Sequence, residues 1–177
     1  MGKKYTILDR RQMISLGRHS YMGNISERFN ATVTVGNFTS IASGVVFYGD
    51  CEHPTAMNNQ CVSSFPFYEK WNVDYQPCGG RGQITIGSDV WIGEDARVMD
   101  GVHISDGCIV GALSVVGKDL PPYAVYVGNR IIKFRFDQVT IDKLLQLKWW
   151  DLDDEAIRQM FPLMNDINKF LEVYENS

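Results

Sequence analysis

Counting forward in sixes from Ile86 reaches Ile92, Val98, Ile104, Val110 and Val116, all β-branched and apolar. Four places beyond each stand Val90, Ala96, Val102, Cys108, Ser114 and Leu120, mostly small or apolar. A period of six fits neither an amphipathic helix, with 3.6 residues per turn, nor a plain strand that alternates every 2. It marks a hexapeptide solenoid, in which each repeat supplies one short strand and one corner. The residue after each inward Ile or Val is usually small (Gly87, Gly93, Gly111, Gly117), which predicts that glycine turns the corners. The expected class is an all-β solenoid.

The first part of the chain repeats the pattern less regularly. Leu16 and Met22 are six apart; the phase then slips by one, and Phe29, Val35, Ile41 and Phe47 continue, with Val33, Thr39 and Val45 at the second inward position. A bulge or loop between Asn24 and Asn30 is expected to absorb the slip. The coils therefore read as residues 16–47 and 84–122 of a single domain spanning 1–177, interrupted by an excursion over 48–83. A non-repeating excursion of that length is usually functional or disordered, and its aromatics argue against disorder. Pro121 and Pro122 are expected to end the solenoid. An extended piece follows, and short helices are expected over 140–175, with Thr140 and Asp153 or Asp154 opening the first two and Pro162 breaking the second.

Composition adds mainly exclusions. A net charge of −4 gives no footprint for nucleic acid, and the N-terminus has no apolar run suited to a signal peptide or membrane span. Four cysteines without a dense pattern suit reduced thiols in a cytoplasm.

Three stretches, ITIGSDVWIGEDARV, VGALSVVGKDLPPYAVYVGN and LLQLKWWDLDDEAI, together with VTVGNFTSIASGVVF and SSFPF, resemble the hexapeptide-repeat acyltransferases. Within them the chain is similar to the xenobiotic acetyltransferase subgroup, which includes chloramphenicol and streptogramin acetyltransferases and related sugar O-acetyltransferases. The resemblance covers about Leu16 to Ile157. It implies a left-handed parallel β-helix, a homotrimer, and acetyl-CoA bound between subunits. The implied reaction moves acetyl to a hydroxyl or amine of a small acceptor.

Such a transfer needs a base for the acceptor proton and gains from an N–H donor at the developing oxyanion. The chain has three histidines. His103 precedes inward Ile104, so strand alternation turns it outward. His53, in GDCEHP at the start of the excursion, stands where the subgroup carries its catalytic histidine; Cys51 is the competing nucleophile. Trp91 corresponds to an active-site Trp of the family, and the Glu94 N–H to the position facing the thioester. His19, Tyr21, Phe65 and Phe67 fall among the segments expected to line the acceptor, where aromatics would stack on an aryl or sugar ring.

The resemblance also assigns coenzyme contacts to Ala112, Gly117, Lys118, Arg130 and Lys133. Two departures stand out. Leu113 occupies a usual glycine position, and Asn129 runs directly into Arg130 without the family's Pro-Ala. No metal is expected. Cys51, His53 and Cys61 lack a fourth zinc ligand, and the three-His set of a β-helical hydratase is missing. The alternatives are a sugar or polysaccharide-precursor acetyltransferase and, in a different class, a non-catalytic trimeric β-helix module.

Overall fold

The computed structural model describes residues 14–28, 31–49, 67–71 and 81–175. Their strands fall on three faces. Face A stacks β1 (Ile14–Leu16), β4 (Val33–Val35), β7 (Ile84–Ile86) and β10 (His103–Ile104). Face B stacks β2 (Tyr21–Met22), β5 (Ser40–Ile41), β8 (Trp91–Ile92), β11 (Ile109–Val110), β13 (Ala124–Val127) and β14 (Arg130–Phe134). Face C stacks β3 (Ser26–Arg28), β6 (Val46–Tyr48), β9 (Arg97–Val98) and β12 (Val115–Val116). From β1 to β12 each strand pairs in parallel with the one three ahead, which is a three-sided coil.

The inward residues stack like on like. Ile41, Ile92, Val110 and Tyr126 form one column on face B; Phe47, Val98 and Val116 form one on face C. All twelve inward positions between Ile86 and Leu120 are 2% exposed or less. Each large apolar side chain so buried is worth about 1.5–3 kcal/mol, and β-branching suits the strand at the same time. The excursion leaves this stack undisturbed: Val35 meets Ile86, Ile41 meets Ile92 and Phe47 meets Val98 across it.

Several expectations need correction. The register pairs Glu27, not Phe29, with Phe47, so Met22 and Glu27 are one residue closer in sequence than their partners Ile41 and Phe47 and the phase changes on both sides of β3; Phe29 itself lies outside the described residues. The prolines do not end the coil, because β13 still pairs in parallel with β11 and buries Tyr126. The extended piece after them is a hairpin, with β14 folding back antiparallel through Gly128 at φ +66°. Helix α2 (Gln138–Leu147) starts ahead of Thr140, because the Asp137 carboxylate accepts from the Thr140 N–H. Helix α3 (Asp154–Met160) opens at Asp153 as expected, its carboxylate accepting from the Ala156 N–H, and Phe161 beyond its end is exposed. Pro162 falls in a 3₁₀ turn before α4 (Ile167–Glu175).

The glycines after the inward residues do not turn the corners. The left-handed backbone comes three places after an inward residue, at Asp89, Asp95, Gly101, Gly107, Leu113 and Tyr123, and at His19, Phe38 and Gly44 in the early coils. What the early glycines permit is coil-on-coil approach: a Cβ at Gly93 would stand 2.5 Å from Ala112 N. Left-handed non-glycine residues cost about 1–2 kcal/mol each. Along the A–B corner their side chains reach the C-terminal segment: His19 to Asp154 of α3, Phe38 to Trp149 just after α2, and Asp89 and Tyr123 to Arg135 and Phe136 in the link that leads into α2. The corner ladder is the clasp that holds the helices on the coil.

Asp154 joins that clasp at its N-terminal end. His19 Nε2 lies 2.9 Å from Asp154 Oδ1, and Arg18 Nη1 donates to the same oxygen. The His19 hydrogen bond, aided by the charges of His19, Arg18 and Arg158, holds the carboxyl below its ordinary 3.8. A depressed acid stabilises above its unfolded pKa and stops doing so as pH falls through the folded value. Acidification below about pH 4 is therefore expected to loosen helix docking, read from Trp149 fluorescence against Phe38. Asp154→Asn should weaken docking at neutral pH and flatten this acid limb; an unchanged limb would refute the assignment.

Candidate active site

Face B carries a line of outward residues in strand register: Tyr21, Ser40, Trp91, Ile109, Val125 and Lys133. Strand spacing of about 4.8 Å puts Tyr21 and Trp91 roughly 10 Å apart. Both are exposed, at 64% and 53%, on an otherwise regular sheet. Trp91 is outward, as strand alternation requires, and so is His103 on face A.

Glu94 follows on the B–C corner. Its carbonyl accepts from Leu113 N at 2.9 Å, and its own N–H has no partner among the described residues. A backbone donor at a corner, with Gly93 beside it, suits an oxyanion. Ala112 stacks directly above Gly93 on that corner. The hairpin turn sits on it too: Val115 N donates to Gly128 O, and Gly128 N to Ser114 Oγ. This brings exposed Arg130, at the head of β14, to the same corner.

Gly117 and Lys118 lie one corner further on, between faces C and A. Six residues separate Ala112 from Lys118, at most about 20 Å of extended chain. The C–A corner is also where the excursion joins the coil. At its near end Tyr48 Oη accepts from Arg97 Nη1 at 2.8 Å. At its far end Arg81 N donates to Asp100 Oδ2 and Arg81 Nη1 to Gly117 O. One subunit therefore divides the expected site residues between two corners: Trp91, Glu94, Ala112 and Arg130 at one, Gly117, Lys118 and the roots of the excursion at the other.

His53, Cys51 and Phe65 lie outside the described residues. Phe67 belongs to helix α1 (Phe67–Trp71), where its ring stacks on Trp71 with centroids 4.6 Å apart. His19 is committed to Asp154 and stacks on Phe38 with ring centroids 4.8 Å apart, at the A–B corner away from Glu94. Cys108 is an inward residue donating to Pro121 O, and burial pushes its thiol up to about 11, which leaves it inert. Among the described residues no group of three or more His, Cys, Asp or Glu is placed to hold a metal. No helix there is long and apolar enough to cross a membrane. The Arg81 contact to Gly117, which ties the excursion to the C–A corner, had no signal in the sequence.

A three-sided hexapeptide coil with a long corner excursion defines the class, and comparison with known proteins supplies the family. The bacterial transferase hexapeptide family (six repeats) matches residues 83–118. Over 148 residues the chain is 36% identical to a chloramphenicol acetyltransferase of Agrobacterium fabrum, covering 77% of this chain and 68% of that one. It is 36% identical over 133 residues to a probable macrolide acetyltransferase of Lysinibacillus sphaericus, covering 70% and 71%. A hexapeptide-repeat acetyltransferase from Vibrio cholerae superposes with a TM-score of 0.56 at 26% identity, covering 71% of this chain and 64% of that one. The same kind of enzyme complexed with acetyl-CoA gives 0.55 at 25%, covering 71% and 62%. The matches thus span about two thirds of the length of these relatives. The chain belongs to the hexapeptide-repeat acetyltransferases.

Proposed function

We propose that this acetyltransferase takes acetyl from acetyl-CoA and passes it directly to a hydroxyl, or an amine, of a small acceptor, with His53 as general base. The observation that carries the reading is the exposed Trp91 beside the unpartnered Glu94 N–H on a coil of this family. His53 takes the acceptor proton as the oxygen or nitrogen attacks the thioester carbonyl. The Glu94 N–H stabilises the oxyanion; the C–S bond then breaks, and the proton passes to the departing thiolate.

The coil is left-handed and three copies assemble as a cytoplasmic trimer. The two-corner layout supports this assembly: an excursion rooted at the C–A corner of one subunit can meet Trp91 and Glu94 on its neighbour. The exposed aromatics of face B would be covered at the same time. Sedimentation is expected to give a trimer, and a stable monomer at micromolar concentration would refute the shared site.

Tyr21 and Phe67 offer rings to an acceptor, and Phe65 extends the same lining. Chloramphenicol-like and sugar acceptors both suit such rings. An acetyl-CoA turnover screen across aryl alcohols, streptogramins and sugar nucleotides tests the function directly. Absence of turnover with every class would favour a non-catalytic trimeric module.

Lys118, Arg130 and Lys133 are exposed cations and suit the coenzyme phosphates. Lys118→Ala or Arg130→Ala is expected to weaken acetyl-CoA more than its dephospho form, and more strongly at low salt. Equal loss for both thioesters would show that these residues act through structure.

A further inference from the structure

A cavity of about 240 Å³ lies between the A–B corner of the coil and the C-terminal helices. Its walls are apolar and largely aromatic: Phe136, Leu144, Trp149, Met164 and Phe170. Its other end is polar, formed by Asp89, Tyr123 and Arg135. Arg135 Nη1 donates to Asp89 Oδ2 at 2.9 Å and to Gly107 O at 2.8 Å, while its guanidinium lies over the rings of Tyr123 and Phe136. The polar end is therefore fixed in place before anything binds.

Tyr123 is 1% exposed, and its hydroxyl has no hydrogen-bond partner among the described residues. Leaving such a group unsatisfied costs about 1–3 kcal/mol. Tyr123 is also held in a left-handed backbone at φ +58°, with its ring against Gly107. A phenylalanine would pack there without the orphaned hydroxyl.

We propose that this cavity binds a small uncharged aromatic alcohol, whose ring lies among Phe136, Trp149 and Phe170 and whose hydroxyl pairs with Tyr123 Oη. Size favours a single ring, since an apolar cavity of about 150 Å³ already holds benzene. Charge favours a neutral head. Asp89 and Arg135 are already paired with each other, so a carboxylate or an ammonium would find no free counterion in this lining. Burial holds the Asp89 carboxyl above its ordinary 3.8 even beside Arg135. Occupancy would bridge the coil and the helices and tighten the clasp between them. This inference is independent of acetyl transfer, because neither Glu94 nor Lys118 lies on the A–B corner.

Phenol is the probe, with toluene, benzoate and benzylamine as comparators. At 10 mM, phenol is expected to raise the Tm of the full chain by about 2–4 °C and to shift the Met164 methyl resonance. Benzoate and benzylamine should do neither. Tyr123→Phe should fold normally and reduce the phenol effect to that of toluene. The proposal is overturned if phenol moves neither signal, if benzoate matches phenol, or if Tyr123→Phe responds as the natural chain does. It also fails if a phenol-soaked crystal shows only ordered water at Tyr123 Oη.

Discussion

Replacing His53 with alanine is expected to lower turnover by about 10²–10⁴, the usual range for loss of a general base, with trimer and acetyl-CoA affinity retained. An unperturbed imidazole titrates near 6.5, so its neutral form can take the acceptor proton near neutral pH and return it to the departing thiolate. Cys51, two residues away, is the rival. A thiol nucleophile would leave an acetyl-enzyme when acceptor is withheld, and would show a burst. Cys51→Ser is expected to cost little, with no burst from the natural chain. Cys108 offers no second route, because it is fully buried and its thiol is held protonated. An active His53→Ala enzyme, or a Cys51 adduct turning over at the steady-state rate, would overturn direct transfer.

The coil was legible because a six-residue period is a strong local signal, and each inward position it named between Ile86 and Leu120 is buried. Three features were not legible, for different reasons. Glycine after the inward residue signals both a turn and a close approach in sequence, and only the backbone angles show that the turn falls at Asp89, Asp95 and Leu113 instead. The hairpin at Gly128 looks like one extended run, because AVYV and RIIKF are both strand-forming and the turn between them is only two residues. His19 reads as a cleft residue from its place in the first coils. Its partner Asp154 is 135 residues away, and no local pattern encodes that pairing.

The site divides along the same line. Trp91 and Glu94 sit inside the period, so their outward and corner placements follow from counting. Arg130 follows a shortened turn, and its arrival at the B–C corner depends on Gly128 bonding to Val115 and Ser114. Lys118 is placed by the period, but its relation to the excursion rests on Arg81 reaching Gly117, a contact between segments 36 residues apart.

Two glycine substitutions should separate coil packing from coenzyme contact. At Gly93 an added Cβ would meet Ala112 N at 2.5 Å and Gly111 C at 3.0 Å, both backbone atoms of the next coil. Neither can swing aside, so Gly93→Ala must push two coils apart beside the Glu94 N–H. Overpacking of this kind costs about 1–3 kcal/mol, and displacing a reacting group by about 1 Å can cost 10²-fold in rate. At Gly117 the nearest atom to an added Cβ is Met99 Cγ at 3.9 Å, an ordinary contact, and the backbone is not left-handed. Gly117→Ala should therefore leave the Tm unchanged or slightly higher. If the pantetheine arm passes over this corner, the new methyl will meet it and raise the KM for acetyl-CoA, while kcat at saturation stays close to the natural value. A Gly93→Ala enzyme of full stability would contradict the close coil approach. A Gly117→Ala enzyme with unchanged KM would move the coenzyme path off the C–A corner, and Lys118 with it.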